Sequence, residues 1–447
     1  MITGLPYRQL SFWEHWYYHF WPLQIDFANA LNNHTIVPGI SGTGKTSLLK
    51  AMAWEELHTH NALILVDTHL DAFQATLHAC IRLGVEPSQC VIIDPTRLEF
   101  GAVSLGILHP EPGQHPYVLI DSLLACARGL YGPSFGERMA DVMRMLFLTL
   151  QKAHVPFTAS IPFLTDKKFH DLIISRTGDI EIERFWEHLG TFRKGDATII
   201  IESTRNKINP VLMSPFLKPL FDKVEPTVHF YDACKEGKVI LVNLSRNFLK
   251  DDSSRGFLGS LLMHLIYNAL LQRENDKEKN PVTILCDEVH EYFVPDFFNP
   301  MLTGARKYGA GLKMFTQSLG YFKPHDLEII FSTVGSIISF AVGYADARRL
   351  VDELLTFRND EIVKHQKRDM FGGYGDKTFY SAGEQRQHVL AELMEQAQRE
   401  LFIRIKKRHG NETYIGRVSY VPEFKVSPEE EAAYRRESAR HHGYINL

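Results

Sequence analysis

The stretch "GISGTGKT" fits the pattern G-x-x-x-x-G-K-[ST] from Gly39 to Thr46. Its glycines, Gly39, Gly42 and Gly44, let the main chain approach an anion. Successive N–H groups through Ser41, Gly42, Thr43, Gly44, Lys45, Thr46 and Ser47 can then turn toward phosphate oxygens. A helix starting here would add the positive end of its dipole. In this pattern Lys45 reaches the β- and γ-phosphates of ATP, and the Thr46 hydroxyl takes a Mg²⁺ ion. A second constellation is Asp287–Glu288, directly after the apolar run "VTILC". Asp287 suits Mg²⁺ or its water, and Glu288 suits polarisation of a water that attacks the γ-phosphate. A hydrolase needs that base and a nucleotide switch does not. Gln317 closes the following apolar run, where an amide can contact both the γ-phosphate and the attacking water. Arg306, eleven residues earlier, is the candidate finger toward a neighbouring subunit's nucleotide. Such an arginine contributes about 10³–10⁵ in rate, or roughly 4–7 kcal/mol of barrier. Arg205 and the pair Arg348/Arg349 compete with it for that role.

These groups need a scaffold that brings strand ends together. "HTIVPG" reads as a strand feeding the loop and "TSLLKAMAWEELHTH" as the helix after it. "ALILVD" (62–67) and "VIID" (91–94) are buried strands, each closed by an aspartate. "KVILVNL" (238–244), "VTILCDE" (282–288), "LKMFTQ" (312–317) and "SIISFAVG" (336–343) continue the series. Strands alternating with helices such as "GFLGSLLMHLIYNALLQR" indicate a mostly parallel sheet with helices on both faces. Residues 116–230 read as a mostly helical insertion, in which "TIIIES" (198–203) is open between strand and helix. "LFIRIKK" and "TYIGRVSY" around "RHGNE" read as a hairpin. Ser427 as N-cap, Pro428 at the first position and Glu430 closing a capping box start the last helix. The expected organisation is an N-terminal segment 1–33, core parts 34–115 and 231–425 around the insertion, and a C-terminal helix and tail, 426–447.

At 447 residues, 45% hydrophobic and 23% charged, the composition is that of an ordinary globular protein. No run approaches the ~20 apolar residues of a membrane-spanning helix. The five cysteines form no C-x-x-C pair and read as reduced, buried thiols of a cytoplasmic protein, not as a zinc site. The net charge of −4 neither advertises nor excludes nucleic acid. In "SFWEHWYYHFWPL", Trp13, Trp16, Tyr17, Phe20 and Trp21 fall on one helix face, capped by Ser11 and Glu14 and ended by Pro22. Ten residues span only ~15 Å, too short to cross a bilayer. The readings for this face are packing on its own chain or a neighbouring subunit, docking of a protein partner, and, least favoured for want of Lys or Arg on the opposite face, contact with a membrane surface.

The order of "NHTIVPGISGTGKTSLL", "LILVDTHLD", "VIIDPT", "FGERMADVMRMLFLTL", "PFLTDKKFHDLI", "GKVILVNLS", the Asp-Glu strand and "ARKYGAGLKMFTQSL" resembles the HerA/FtsK superfamily of ring ATPases. The resemblance is especially to the conjugative coupling (TraG/TraD-like) and HerA-like branch, and it covers most of residues 34–442. It implies a RecA-like α/β P-loop NTPase core and a homohexamer with ATP and Mg²⁺ between subunits. DNA, expected to be double-stranded, would run through the channel. Lys45, Thr46, Asp287, Glu288, Gln317 and Arg306 occupy the matching positions. Two features depart from the pattern. Thr68 stands where the family often has proline, and the 38 residues before Gly39 have no room for that branch's membrane helices or β-barrel. Arg404, Lys406 and Arg408 alternate along the hairpin strand beside Lys407 and His409, and Lys307 and Lys313 flank the Gln317 strand. These groups are candidates for sequence-independent phosphate contacts or for a charged strand edge. The readings that follow are a DNA-translocating motor, a ring scaffold for an effector such as an antiphage nuclease, and a packaging or secretion motor. In the second reading the aromatic helix would be the docking element.

Overall fold

A computed structural model describes residues 2–6, 23–24, 33–59, 61–109, 116–191, 194–246, 249, 252–355, 363–368, 374–379, 381–407 and 410–444. The strands in chain order are β1 (Ile2–Pro6), β2 (Leu23–Gln24), β3 (Thr35–Pro38), β4 (Ala62–Asp67), β5 (Cys90–Ile93), β6 (Val239–Asn243) and β7 (Val282–Cys286). They continue with β8 (Ala310–Thr316), β9 (Ser336–Ser339), β10 (Val363–Arg368), β11 (Tyr374–Phe379), β12 (Glu400–Lys407) and β13 (Gly410–Val418). The chain divides into two compact units. The first comprises Met1–Thr59, Thr283–His290 and Ala310–Pro422; the second comprises His60–Val282, Glu291–Gly309 and Glu423–Leu447.

In the first unit the strands lie in the order β2-β1-β13-β12-β9-β3-β8-β7. β3 is parallel to both neighbours, with Thr35 opposite Lys313 on β8 and Ile36 opposite Ile337 on β9. Every residue of β3, β8 and β9 is buried, which explains why these strands read as continuous apolar runs and not as alternating ones. β9 pairs antiparallel with β12, and β12 with β13 in the expected hairpin. Beyond the hairpin, β1 pairs antiparallel with β13, Ile2 opposite Val418. The start of the chain, expected to belong to a helical segment, therefore opens with a strand. "ITGLP" carries no alternation to announce it, and pairing with β13 supplies the order. The aromatic helix expected at 12–21 lies outside the described residues. β10 and β11 form a further antiparallel hairpin whose charged sequences gave no strand signal.

In the second unit β4, β6 and β5 form a parallel ladder, Leu63 opposite Val239 and Ile93 opposite Val242. The aspartates that close β4 and β5 are structural. Asp67 accepts from the N–H groups of His69 (2.8 Å) and Phe73 (2.7 Å), capping the turn into helix Asp71–Arg82. Asp94 accepts from Asn243 (2.9 Å) and pairs with Arg435 (3.0 Å), both partners of that pair being buried. Arg435 sits on the final helix, Pro428–His441, which begins with the expected Ser427/Glu430 capping box. Ser438 and Tyr444 extend the attachment to the backbone of β5.

The region after residue 116 is helical: Pro116–Tyr131, Glu137–Lys152, Lys167–Thr177, Ile180–Thr191 and Lys194–Leu212 are its longer helices. "TIIIES" falls inside the last of them. Thr204, Ile208, Val211 and Leu212 are buried, a helical i, i+4, i+7, i+8 set. None of the six residues of "TIIIES" is itself buried, Ile199 being 63% exposed, so it is packing of the second half of the helix that carries the β-branched segment into helical form. The five cysteines are all buried. No described helix is long and apolar enough to cross a membrane.

Candidate functional site

The first unit builds its site at the carboxyl ends of β3, β7 and β8. β3 is pinned on both flanks as it enters the loop: Gly39 N–H donates to Thr316 O (3.1 Å) and Ile40 N–H to Ala341 O (2.9 Å). The loop then turns through two left-handed glycines, Gly42 at φ 80° and Gly44 at φ 120°. At Gly39 an added Cβ would come within 2.7 Å of the Phe340 Cβ. Thr43 closes the loop by donating its hydroxyl to Ile40 O at 2.7 Å.

The helix Lys45–Glu56 starts from Gly44 with no capping side chain and no acidic residue in its first turn. Its leading N–H groups are therefore left for an anion, with the dipole favouring negative charge. Lys45 is buried, and its ammonium donates to Gly39 O at 2.6 Å, lying 3.9 Å from Glu288 Oε1. Burial pushes its pKa below the ordinary lysine value, against the opposing pull of Glu288 and Asp287. A cation held among backbone carbonyls and paired acids beside an uncapped helix end suits a polyphosphate bearing Mg²⁺. Thr46 and Ser47 are half-buried on the first turn, and Ser41 is exposed on the loop crown.

Asp287 and Glu288 follow β7 directly, and both are buried. Glu288 takes φ 40°, a left-handed conformation uncommon for a residue with a side chain. Its Oε2 accepts from the Gln317 N–H at 3.1 Å, and its Oε1 faces Lys45. Lys45, Glu288 and Gln317 thus come together as the sequence spacing suggested, with the Gln317 backbone N–H, not its amide, making the contact.

His290 is a member the sequence reading passed over. Its Nδ1 lies 3.5 Å from Glu288 Oε2 and 3.2 Å from Thr316 Oγ1. The Thr316 hydroxyl proton goes to Ser318 O at 3.0 Å, so Nδ1–H is the donor in that contact. The imidazole stacks on Tyr321, ring centroids 4.0 Å apart. A histidine two residues past the candidate base, in "DEVHEYF", was the available signal.

Other candidates fall elsewhere. Arg306 is exposed on the turn Ala305–Tyr308 of the second unit. Arg205 is half-buried on helix Lys194–Leu212. Arg349 pairs with Asp346 at 3.3 Å, and Arg348 lies over the Tyr344 ring. Among the basic candidates for DNA, Arg404 is buried, its guanidinium bonded to the Glu353 carbonyl (2.9 Å) and carboxylate (3.3 Å). Lys313 is fully buried and donates to Asn33 O, and burial pushes its pKa down to about 7. Neither is presented to a phosphate backbone, because β8 and the first half of β12 are interior strands. Lys406 and Lys407 are exposed at the end of β12, Lys407 paired with Glu412 at 2.5 Å. Arg408 and His409 lie outside the described residues.

No protein-family model matches the sequence, and no curated protein matches it either. Among solved structures, the fold is similar to that of the bacterial conjugative coupling protein TrwB in unbound form, at 12% identity and TM-score 0.59. That superposition covers 91% of this chain and 89% of that one. The plasmid coupling protein TrwB in complex with ADP and Mg²⁺ gives 13% identity and TM-score 0.57, covering 90% and 88%. VirB4 of Thermoanaerobacter pseudethanolicus gives 12% identity and TM-score 0.54, covering 89% and 91%. Likeness at such identities is a likeness of architecture: this chain has the α/β P-loop NTPase fold of TrwB and VirB4.

Proposed function

We propose that the chain is a Mg²⁺-dependent ATPase that assembles as a homohexameric ring and translocates double-stranded DNA. The observation that carries the hydrolytic part is the buried Glu288 carboxylate, set between the loop lysine and the Gln317 N–H. The resemblance in motif order to HerA/FtsK-type ring ATPases supports the rest, as does the architecture shared with a conjugative coupling protein solved with ADP and Mg²⁺.

In this reading the N–H groups of the loop and first turn cradle the phosphates, and Lys45 releases Gly39 O to hold their β- and γ-oxygens. Thr46 and Asp287 would hold Mg²⁺, which neutralises charge on those oxygens. Gln317 N–H holds Glu288 Oε2, with the His290 ring 3.5 Å beside it, and Oε1 accepts the proton of the attacking water. The Gln317 amide orients that water. Arg306 of the neighbouring subunit completes the site, and Lys406 and Lys407 contribute salt-sensitive phosphate contacts. Likeness to a plasmid coupling protein supports a place in conjugative transfer on the cytoplasmic side, ahead of a packaging motor or a scaffold for a nuclease.

Assembly tests the ring. With ATP and duplex DNA, sedimentation is expected to show a hexamer. Arg306→Ala should keep ATP binding and lose turnover about tenfold or more. A chain that stays monomeric, with an unchanged rate in Arg306→Ala, contradicts a finger supplied from a neighbour.

A further inference from the structure

We propose that Arg399 and Tyr420 form a stacking shelf that binds the base of the nucleotide, an assignment that rests on the ATP-site reading above. The strand order β12-β9-β3-β8-β7 gives the loop two distinct sides. Glu288 and Gln317, where the γ-phosphate reacts, stand at the ends of β7 and β8. A nucleotide seated with its terminal phosphate on that side extends its α-phosphate, ribose and base toward β9 and β12.

Arg399 waits on that side, immediately before β12. Its N–H donates to Thr43 O at 2.7 Å, so it is bonded to the phosphate loop itself. A Cβ added at Gly44 would lie 3.1 Å from the Arg399 Cα. Arg399 adopts φ 71°, a left-handed conformation that a residue with a side chain rarely takes. Its carbonyl accepts from Val418 N–H at 3.0 Å, which locks the position to the hairpin. The guanidinium carbon lies over the Tyr420 ring, 3.2 Å from its centroid.

Two features of this pair are left without a partner among the described residues. Tyr420 is 84% exposed, the highest value among the exposed large hydrophobic residues described. Arg399 Nη1 is shielded from solvent and has no hydrogen-bond partner among the described residues. An exposed aromatic ring beside a phosphate loop, with an arginine guanidinium over it, is suited to a planar base. Nη1 then supplies a donor to the oxygens linking ribose and α-phosphate. Stacking of this kind accepts any base because every base has a π-face. The shelf thus selects nucleotides over bare polyphosphates without choosing strongly between purines.

The test compares a ligand with a base against one without. Calorimetric titration of the full chain with the non-hydrolysable imido analogue of ATP, and separately with inorganic tripolyphosphate, is run on wild type, Tyr420→Ala and Tyr420→Phe. Tyr420→Ala is expected to weaken the ATP analogue about tenfold or more. Tripolyphosphate should stay within about twofold of wild type, and Tyr420→Phe should keep both affinities. An unchanged affinity for the analogue in Tyr420→Ala overturns the shelf alone. An equal loss for both ligands also overturns it, since the residue would then merely support the loop. A wild-type chain that binds neither ligand overturns the ATP-site reading and the shelf with it.

Discussion

Lys45→Ala is expected to abolish ATP turnover, a fall of about 10³ or more, equivalent to roughly 4 kcal/mol of barrier. Lys45 is the buried cation of the site; among the described residues no other lysine ammonium is hydrogen-bonded to the loop, and the buried Lys313 on the neighbouring strand donates to Asn33 O instead. Truncation removes the charge that meets the β- and γ-phosphates as negative charge shifts during transfer. It also leaves the buried Glu288 carboxylate without the cation 3.9 Å away, which opposes the approach of a polyanion. Equilibrium ATP binding should therefore weaken along with turnover. Lys45→Arg should not restore the rate, because a planar guanidinium cannot reproduce a point charge seated against Gly39 O. Steady-state phosphate release, with a thermal melt to verify folding, checks this. A variant that melts normally and still hydrolyses ATP would remove Lys45 from the mechanism.

Glu288→Gln is expected to separate binding from chemistry. The substitution keeps the shape, and the amide oxygen can still accept from Gln317 N–H, so the strained turn at φ 40° stays supported. It deletes the proton acceptor. General bases contribute about 10²–10⁴ in rate, so turnover should fall into that range while ATP affinity persists. Rapid quench of the bound nucleotide should recover ATP from the variant and ADP from wild type. Wild-type turnover in the variant would show that Oε1 is not the acceptor.

The phosphate loop and the Asp287–Glu288 pair were legible in the sequence because their chemistry constrains consecutive residues. The buried strands were equally plain, since parallel strands covered on both faces appear as unbroken apolar runs. Contacts between distant segments were not legible. His290 joins the site because β7 and β8 lie side by side, and Arg399 touches the loop because its hairpin runs past β9. β1 was missed because "ITGLP" has no pattern of its own. The basic strand misled for a physical reason: alternation along β12 placed Arg404 on the correct face for Lys406, but the strand is buried along its first half. There Glu353 takes the guanidinium that the sequence offered to DNA. Lys313 misled in the same way, as a charge on an interior strand whose burial no local pattern announces.

If this site converts ATP hydrolysis into work on DNA, its steady-state ATPase rate must respond to double-stranded DNA, and comparing the rate with and without the duplex tests that coupling. A Mg²⁺-dependent rate that rises severalfold on addition of duplex DNA is expected, with the stimulation lost as salt screens the phosphate contacts. A rate that duplex DNA leaves unchanged at low salt would contradict translocation, even if Lys45 and Glu288 proved essential for hydrolysis.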